Sequence, residues 1–254
     1  DNTAEVIKSL QNENQIEIEY HFIENGYLHK AMRLSSEFIE TPYIVRIDDD
    51  DELTNDCLCE FKKEIESIKA VGITDIGEIR ALAKCDNGKI AGYYQPALGQ
   101  SPIDTTYTKW SLDSKFQLEN VSCRKSSVWK QLFPKSDESL WLYDKVTYIG
   151  DAIFWNRLSR LCRTRYIFKI LRYYHDTPTS LIQQQYVLTT QKLYNTVFTN
   201  YVYLNELQDY YIKKPWHFFR TLSIYAIYGF MLKLDYGKLF NALDSKLLRS
   251  LFVL

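Results

Sequence analysis

Tyr43-Ile44-Val45-Arg46-Ile47-Asp48-Asp49-Asp50-Asp51-Glu52 is the stretch on which the reading of the fold turns. A Thr41-Pro42 break followed by an apolar, β-branched run predicts a short strand, Tyr43 to Ile47. That strand runs straight into four consecutive aspartates. Like charges gathered so closely raise one another's pKa unless a cation is at hand. Hard oxygen donors at a strand end suit Mg²⁺ or Mn²⁺, in a site that keeps waters and is completed by substrate phosphates. A solvated acidic loop, or a helix N-terminus that welcomes negative charge, is the plainer alternative. The run taken alone leaves the two evenly matched.

Upstream, Asp1, Asn2 and Thr3 are capping residues, and Ala4, Val6, Ile7 and Leu10 carry helical spacing. Gln15 to Ile23 alternates like a strand, Asn25-Gly26 punctuates, and Leu28, Ala31, Leu34 and Phe38 mark a second helix. Downstream, Cys57 to Ala70 is a helix with Leu58, Phe61, Ile65 and Ile68 on one side. Strands alternating with helices predict an α/β fold with a mainly parallel sheet flanked by helices. Ligands of such sheets bind beyond the carboxyl ends of the strands, where the acidic run lies.

Residues 75 to 124 predict an antiparallel half. Ile76 to Ala83, an Asp86-Asn87-Gly88 turn and Ile90 to Tyr94 form a hairpin, followed by a loop with Pro96, Gly99 and Pro102. Val128 to Phe133 and Asp151 to Leu161 predict helices, and Tyr166 to Tyr174 a strand. From Leu181 helical periodicity dominates, with a break at Lys213-Lys214-Pro215 and a final amphipathic pair. The organisation expected is a domain over 1–180 and a helical C-terminal extension over 181–254.

Composition narrows the partners. The 254 residues are 46% hydrophobic and 25% charged with a net charge of -1, so no basic face argues for nucleic acid. Cys57, Cys59, Cys85, Cys123 and Cys162 form an odd set with no C-x-x-C pair, which reads as small buried residues in a reducing compartment. No apolar run approaches the ~18 to 20 residues needed to span a bilayer, the longest being Thr221 to Leu232. The body is expected to be soluble and cytoplasmic, or peripheral on the inner face of the membrane. The aromatic segment from Pro215 to Leu254 reads either as an interfacial helix suited to a lipid-linked acceptor or as packing, and Asp235 and Asp244 favour packing. Trp110, Trp129, Trp141 and Trp155 read as packing residues before sugar-stacking ones.

Here the motifs acquire a family. Asp1-Asn2-Thr3-Ala4-Glu5-Val6-Ile7 resembles the stretch that follows the second strand of family-two glycosyltransferases. Glu24-Asn25-Gly26, then Ala31, then Tyr43 through Leu53 is similar to the family's progression from a Gly-led helix into its D-x-D motif. Gly150-Asp151 with Phe154 and Arg157 resembles the Glu-Asp motif, with Gly in place of its first acid. Arg172-Tyr173-Tyr174-His175 with Thr179-Ser180 resembles the late motif that approaches the diphosphate. These matches cover about residues 1 to 181.

The resemblance implies a GT-A, Rossmann-like fold recorded without its first strands. It also implies transfer of a sugar from a nucleotide-diphosphate donor, UDP-linked, to a carbohydrate or lipid-linked acceptor in surface-polysaccharide assembly. Asp48, Asp49 and Arg172 would bind the nucleotide-sugar. Asp50 and His175 would hold the Mn²⁺ or Mg²⁺, with Asp51 a secondary candidate. Asp151 would be the catalytic base of an inverting displacement, the alternative being that it merely caps the helix it opens. His175 could equally be structural, and Arg172 could pair with a surface acid. Two other functions compete. An aspartyl phosphatase is set aside because Glu52 stands where Thr or Val is normal, and a truncated, inactive binding module would act through the aromatic C-terminus.

Overall fold

The computed structural model describes residues 2–23, 27–92, 96–112, 118–134, 137, 140–175, 188–210 and 213–253. Glu24-Asn25-Gly26, Tyr94 and Thr179-Ser180, which entered the sequence reading, lie outside them.

Six strands form one mixed sheet: β1 (Tyr43–Arg46), β2 (Glu52–Leu53), β3 (Ile76–Cys85), β4 (Ile103–Thr105), β5 (Asn120–Lys125) and β6 (Arg163–Tyr174). The order is β1-β5-β3-β6-β2, with β4 also paired to β6. Among the described residues only β3 and β6 run parallel, and every other pair is antiparallel. The expectation of a mainly parallel sheet is thereby corrected. The physical reason is that β5, a strand of the antiparallel half, inserts between β1 and β3, so these two strands point the same way across the α3 connection yet each takes its hydrogen bonds from an antiparallel neighbour.

Helix α1 (Thr3–Glu13) and α2 (Tyr27–Phe38) form as expected. The strand expected at Gln15 to Ile23 does not, because residues 15–23 find no ladder partner among the described residues and Ile16 and Phe22 are exposed. β1 stops at Arg46, one residue short. The hairpin after β3 turns at Gly88, whose φ of +83° only glycine adopts readily, but its return arm survives as isolated bridges at Ile90 and Gly92.

Period-two alternation sorts the sheet's faces. Ile79 and Ala81 of β3, Val121 and Cys123 of β5, and Ile167 and Leu171 of β6 pack on Phe61 and Ile68 of α3 (Cys57–Ala70). The opposite face is covered by α5 (Ser126–Trp129), α6 (Asp151–Leu161) and α7 (Thr190–Glu206), through Trp129, Phe154, Trp155, Leu158 and Phe198. Helix α4 (Tyr107–Leu112) lies nearby, with Trp110 stacked on Tyr166 at 3.9 Å.

α7 also joins a helical layer with α8 (Pro215–Met231), α9 (Tyr236–Asn241) and α10 (Lys246–Val253), whose core gathers Val197, Leu204, Phe218, Leu222, Tyr225, Leu239, Leu243 and Leu248. Pro215 opens α8 where its missing N–H is harmless, at the break read from the sequence. The inner face of α8 therefore packs, while Trp216, Phe219, Ile227, Phe230 and Met231 stay exposed. Among the described residues no helix is long and apolar enough to cross a membrane. All five cysteines are free thiols.

Candidate active site

The face of β1, β5 and β3 that turns away from α3 carries a cluster of charged residues beside the apolar Ile44 and Leu82. Register puts Arg46 opposite Ser122, and Arg124 and Ser122 opposite Glu78 and Arg80. Arg46, Arg80, Ser122 and Arg124 floor a cleft of about 260 Å³, walled by Asp48, Tyr107, Glu119, Asn120, Asp151, Trp155 and Arg172, with Glu78 buried beneath it.

Asp151 sits in the first turn of α6, where the helix dipole favours a negative charge. It is not the cap, since Gly150 holds that position and makes no side-chain cap bond. Its Oδ2 lies 3.6 Å from Arg46 Nη1, and Arg46 Nη2 donates to Asp48 Oδ1 at 2.8 Å. One guanidinium thus ties the end of β1 to the start of α6. Burial raises the Asp151 carboxyl above its ordinary value, and the nearby Asp48 adds to the rise against the pull of Arg46. Asp151 Oδ1 is buried and meets no donor among the described residues.

Arg172, near the end of β6, is buried and clamps the acidic run from the other side. It bonds Asp51 Oδ2, approaches Asp48 Oδ2 at 3.3 Å and donates to the Asn120 carbonyl at 3.0 Å. Asp51 Oδ1 also accepts from the His175 backbone N–H at 3.2 Å. The His175 ring faces elsewhere: Nδ1 lies 2.7 Å from Asp86 Oδ1 and Nε2 is 3.7 Å from Glu52 Oε1. Nε2 is buried without a hydrogen-bond partner among the described residues. Asp49 and Asp50 form the exposed turn that follows β1, and neither makes an ion pair among the described residues. The structure thus brings together Asp48, Asp151 and Arg172, with Asp51 held behind Arg172, and leaves Asp49 and Asp50 on the outer corner.

No group of three or more His, Cys, Asp or Glu is placed to hold a metal among the described residues. The donor chemistry nonetheless fits a hard cation in kind. Mg²⁺ needs only one or two carboxylates when substrate phosphates complete its shell, and Asp50 is an exposed donor of that kind, whereas the orphaned His175 Nε2 is a nitrogen better matched to Mn²⁺ than to Mg²⁺.

Sequence reading missed the basic floor and Glu119. Glu78 is fully buried, taking Arg80 Nε at 2.7 Å, Arg124 Nε at 2.5 Å and the Thr164 hydroxyl at 2.9 Å. Burial pushes its carboxyl up, but the two arginines outweigh that and hold it low. Glu119, at the rim, is raised by desolvation of its carboxyl, by Asp48, Asp151 and Asp51, and lowered by Arg172. Alternation in Glu78-Ile79-Arg80 and Val121-Ser122-Cys123-Arg124 was the available signal: in both stretches polar and apolar residues take turns.

No family model matches this sequence, and no curated protein matches it. Solved structures do share the fold. S. aureus TarS 1–349 in complex with UDP-GlcNAc aligns with a TM-score of 0.56 at 15% identity, over 95% of this chain and 67% of that one. The same protein in complex with UDP gives 0.52 at 11%, over 100% and 75%. S. aureus TarS gives 0.55 at 14%, over 99% of this chain and 43% of that one. This chain shares its fold with those structures, and its sheet is mixed.

Proposed function

We propose that this chain is a glycosyltransferase that moves a sugar from a UDP-linked donor to an acceptor hydroxyl by a single, inverting displacement. The observation that carries the reading is the shared Arg46, which joins the acidic end of β1 to a buried carboxylate at the start of α6 inside one cleft. The fold it shares with a protein captured with UDP-GlcNAc and UDP supports the donor class.

In this reading Asp151 Oδ1, the orphaned atom, accepts the proton of the acceptor hydroxyl as its oxygen attacks the anomeric carbon. The raised pKa brings this base nearer the working pH. Arg172 and Asp48 hold the donor's nucleotide-sugar portion, Asp49 would reach it from the outer corner, and the guanidinium of Arg172 offsets charge that develops on the departing diphosphate. Asp50 and His175 would hold a Mn²⁺ or Mg²⁺ with the phosphate oxygens, and the cation would supply further Lewis-acid stabilisation there. A double displacement would require a second carboxylate at the anomeric carbon. Glu119 is the candidate the cleft offers, and retention of configuration in the product would reassign the mechanism to it. The acceptor is a carbohydrate or lipid-linked hydroxyl of a surface polysaccharide, and the protein works at the cytoplasmic face, where the exposed stripe of α8 would lie against the bilayer.

The test is UDP release from UDP-sugars over a panel of acceptors, with calorimetric titration of UDP. Asp151→Asn should lower turnover by about 10² to 10⁴-fold with UDP affinity retained. Because the Asp151 pKa is raised, wild-type turnover should fall as pH drops through a value above the ordinary aspartate range, where the base takes up its proton. An unchanged rate in the variant would remove the base. Absence of UDP binding would instead favour a binding module acting through the exposed aromatic stripe of α8.

A further inference from the structure

The transfer mechanism makes no use of Arg80 and Arg124. Their side chains are only 6% and 5% exposed, yet both line the cleft that holds Asp151. One carboxylate, Glu78, lies between two guanidinium groups, so the buried floor keeps an excess positive charge. Aromatic faces lock the guanidinium planes. Arg80 lies 4.8 Å from the Tyr107 ring and 5.2 Å from Trp155, and Arg124 lies 4.2 Å from Trp155 and 5.3 Å from Trp129. With Nε of each arginine taken by Glu78, Nη2 of Arg80 and Nη1 of Arg124 are buried and meet no acceptor among the described residues. Buried N–H groups left so are costly, and two rigid forks side by side match the paired oxygens of a phosphate or carboxylate. Burial, with Arg80 and Arg46 beside it, pulls the Arg124 guanidinium down to about 10 despite Glu78, as expected of a cation short of counter-charge.

The other walls define the rest of the ligand. Asp151 Oδ1 requires a hydroxyl donor, whereas Asp48 and the second oxygen of Asp151 already face Arg46, and Glu119 stands at the rim. Under the transferase reading the donor diphosphate belongs at Arg172 and His175, so the arginine pair is left for the other substrate.

We propose that Arg80 and Arg124 form an oxyanion subsite for the acceptor, which carries a phosphate or carboxylate group close to the hydroxyl that Asp151 deprotonates. This rests on the transferase reading, and the experiment separates the two. The full chain is first titrated calorimetrically with UDP, and then, in saturating UDP, with glycerol 3-phosphate against glycerol and with glucuronate against glucose. Each charged ligand is a probe of the oxyanion alone. At least one should bind about tenfold or more tightly than its neutral twin, and the better of the two identifies phosphate or carboxylate. Arg124→Lys keeps a charge for Glu78 but loses the fork, and should weaken the preferred ligand several-fold while leaving UDP affinity unchanged. Arg124→Gln should abolish the preference. Should Arg124→Gln fail to fold, the wild-type comparison and the lysine variant still decide. Equal binding of charged and neutral twins, or no binding of either charged ligand, overturns the subsite. Displacement of UDP by the charged ligand overturns it too, because the pair would then be holding the diphosphate. UDP failing to bind while the oxyanion preference persists strikes the transferase reading and spares the subsite.

Discussion

The sheet and the helical layer behind it bury their interiors by opposite means. The layer of α7, α8, α9 and α10 is closed by Val197, Leu204, Phe218, Leu222, Tyr225 and Leu239, and the hydrogen bond buried within it is uncharged, the Tyr225 hydroxyl of α8 donating to the Leu239 carbonyl of α9 at 2.8 Å. The cleft face of the sheet instead buries Glu78, Arg80, Arg124 and Arg172. Apolar side chains of similar volume would close that face at less desolvation cost, since a buried ion pair rarely exceeds a hydrophobic replacement in stability. The neighbouring layer shows that this chain can build such an interior. The charges on the sheet are therefore better explained by what the cleft handles than by folding.

Removing a charge at the centre of the network probes that contrast most severely. Glu78→Gln leaves two buried guanidinium groups facing one another without a counter-ion, and should destabilise the fold by about 3 to 5 kcal/mol in urea unfolding. The sign with pH follows. Glu78 is held low in the folded state, so its contribution is present above the unfolded glutamate value and lost as pH falls toward the folded one. The variant should lack that acid-side decline. A loss below about 1 kcal/mol would mean that the network is no more demanding than the apolar layer, and the contrast would fail.

The next test sits on the same strand. At the β3–β6 bulge the register shifts between Ile76 and Glu78, and Gly77 is the residue that absorbs it. A Cβ there would come within 2.8 Å of Cys162 Cβ, an atom fixed to its backbone and unable to swing aside. Gly77→Ala should cost about 1 to 3 kcal/mol by thermal or urea unfolding, the range for forcing an extra methyl into a packed site. Because Glu78 follows directly, the variant should also weaken oxyanion binding, which a lesion in the helical layer would not do.

How far all this was legible depends on which signal each element carried. The acidic run at the end of β1, the helix opening at Asp151, the strand ending at Tyr174 and the break at Pro215 could be read because each rests on local chemistry: a strand end, a helix start, a proline. The strand expected at Gln15 to Ile23 has the right alternation, but a strand exists only through its partner, and pairing is not local. The sheet's direction failed for the same reason, since nothing near Tyr43 announces that Lys125 will lie beside it. The arginine floor failed differently. Its alternation was in view, yet a polar strand face reads identically whether it meets water or a cleft, and only the placing of Trp155 and Tyr107 over the guanidinium groups tells the two apart.

The smallest effect should come from repeating the glycine experiment in the apolar layer. Gly229 lies inside α8, and a Cβ there would stand 2.6 Å from Leu239 Cδ2 and 2.9 Å from Cδ1. Leu239 is fully buried, so the clash is real. The atoms met are methyl ends that a small rotation of the side chain moves, unlike the Cβ of Cys162. Alanine also gains about 0.8 to 1 kcal/mol over glycine in a helix interior, which offsets much of the repacking. Gly229→Ala should therefore change stability by less than about 1 kcal/mol and leave ligand binding untouched. A penalty equal to that of Gly77→Ala would show that the helical layer is as rigidly specified as the sheet, and that what separates the two regions is their charge and not their tolerance to change.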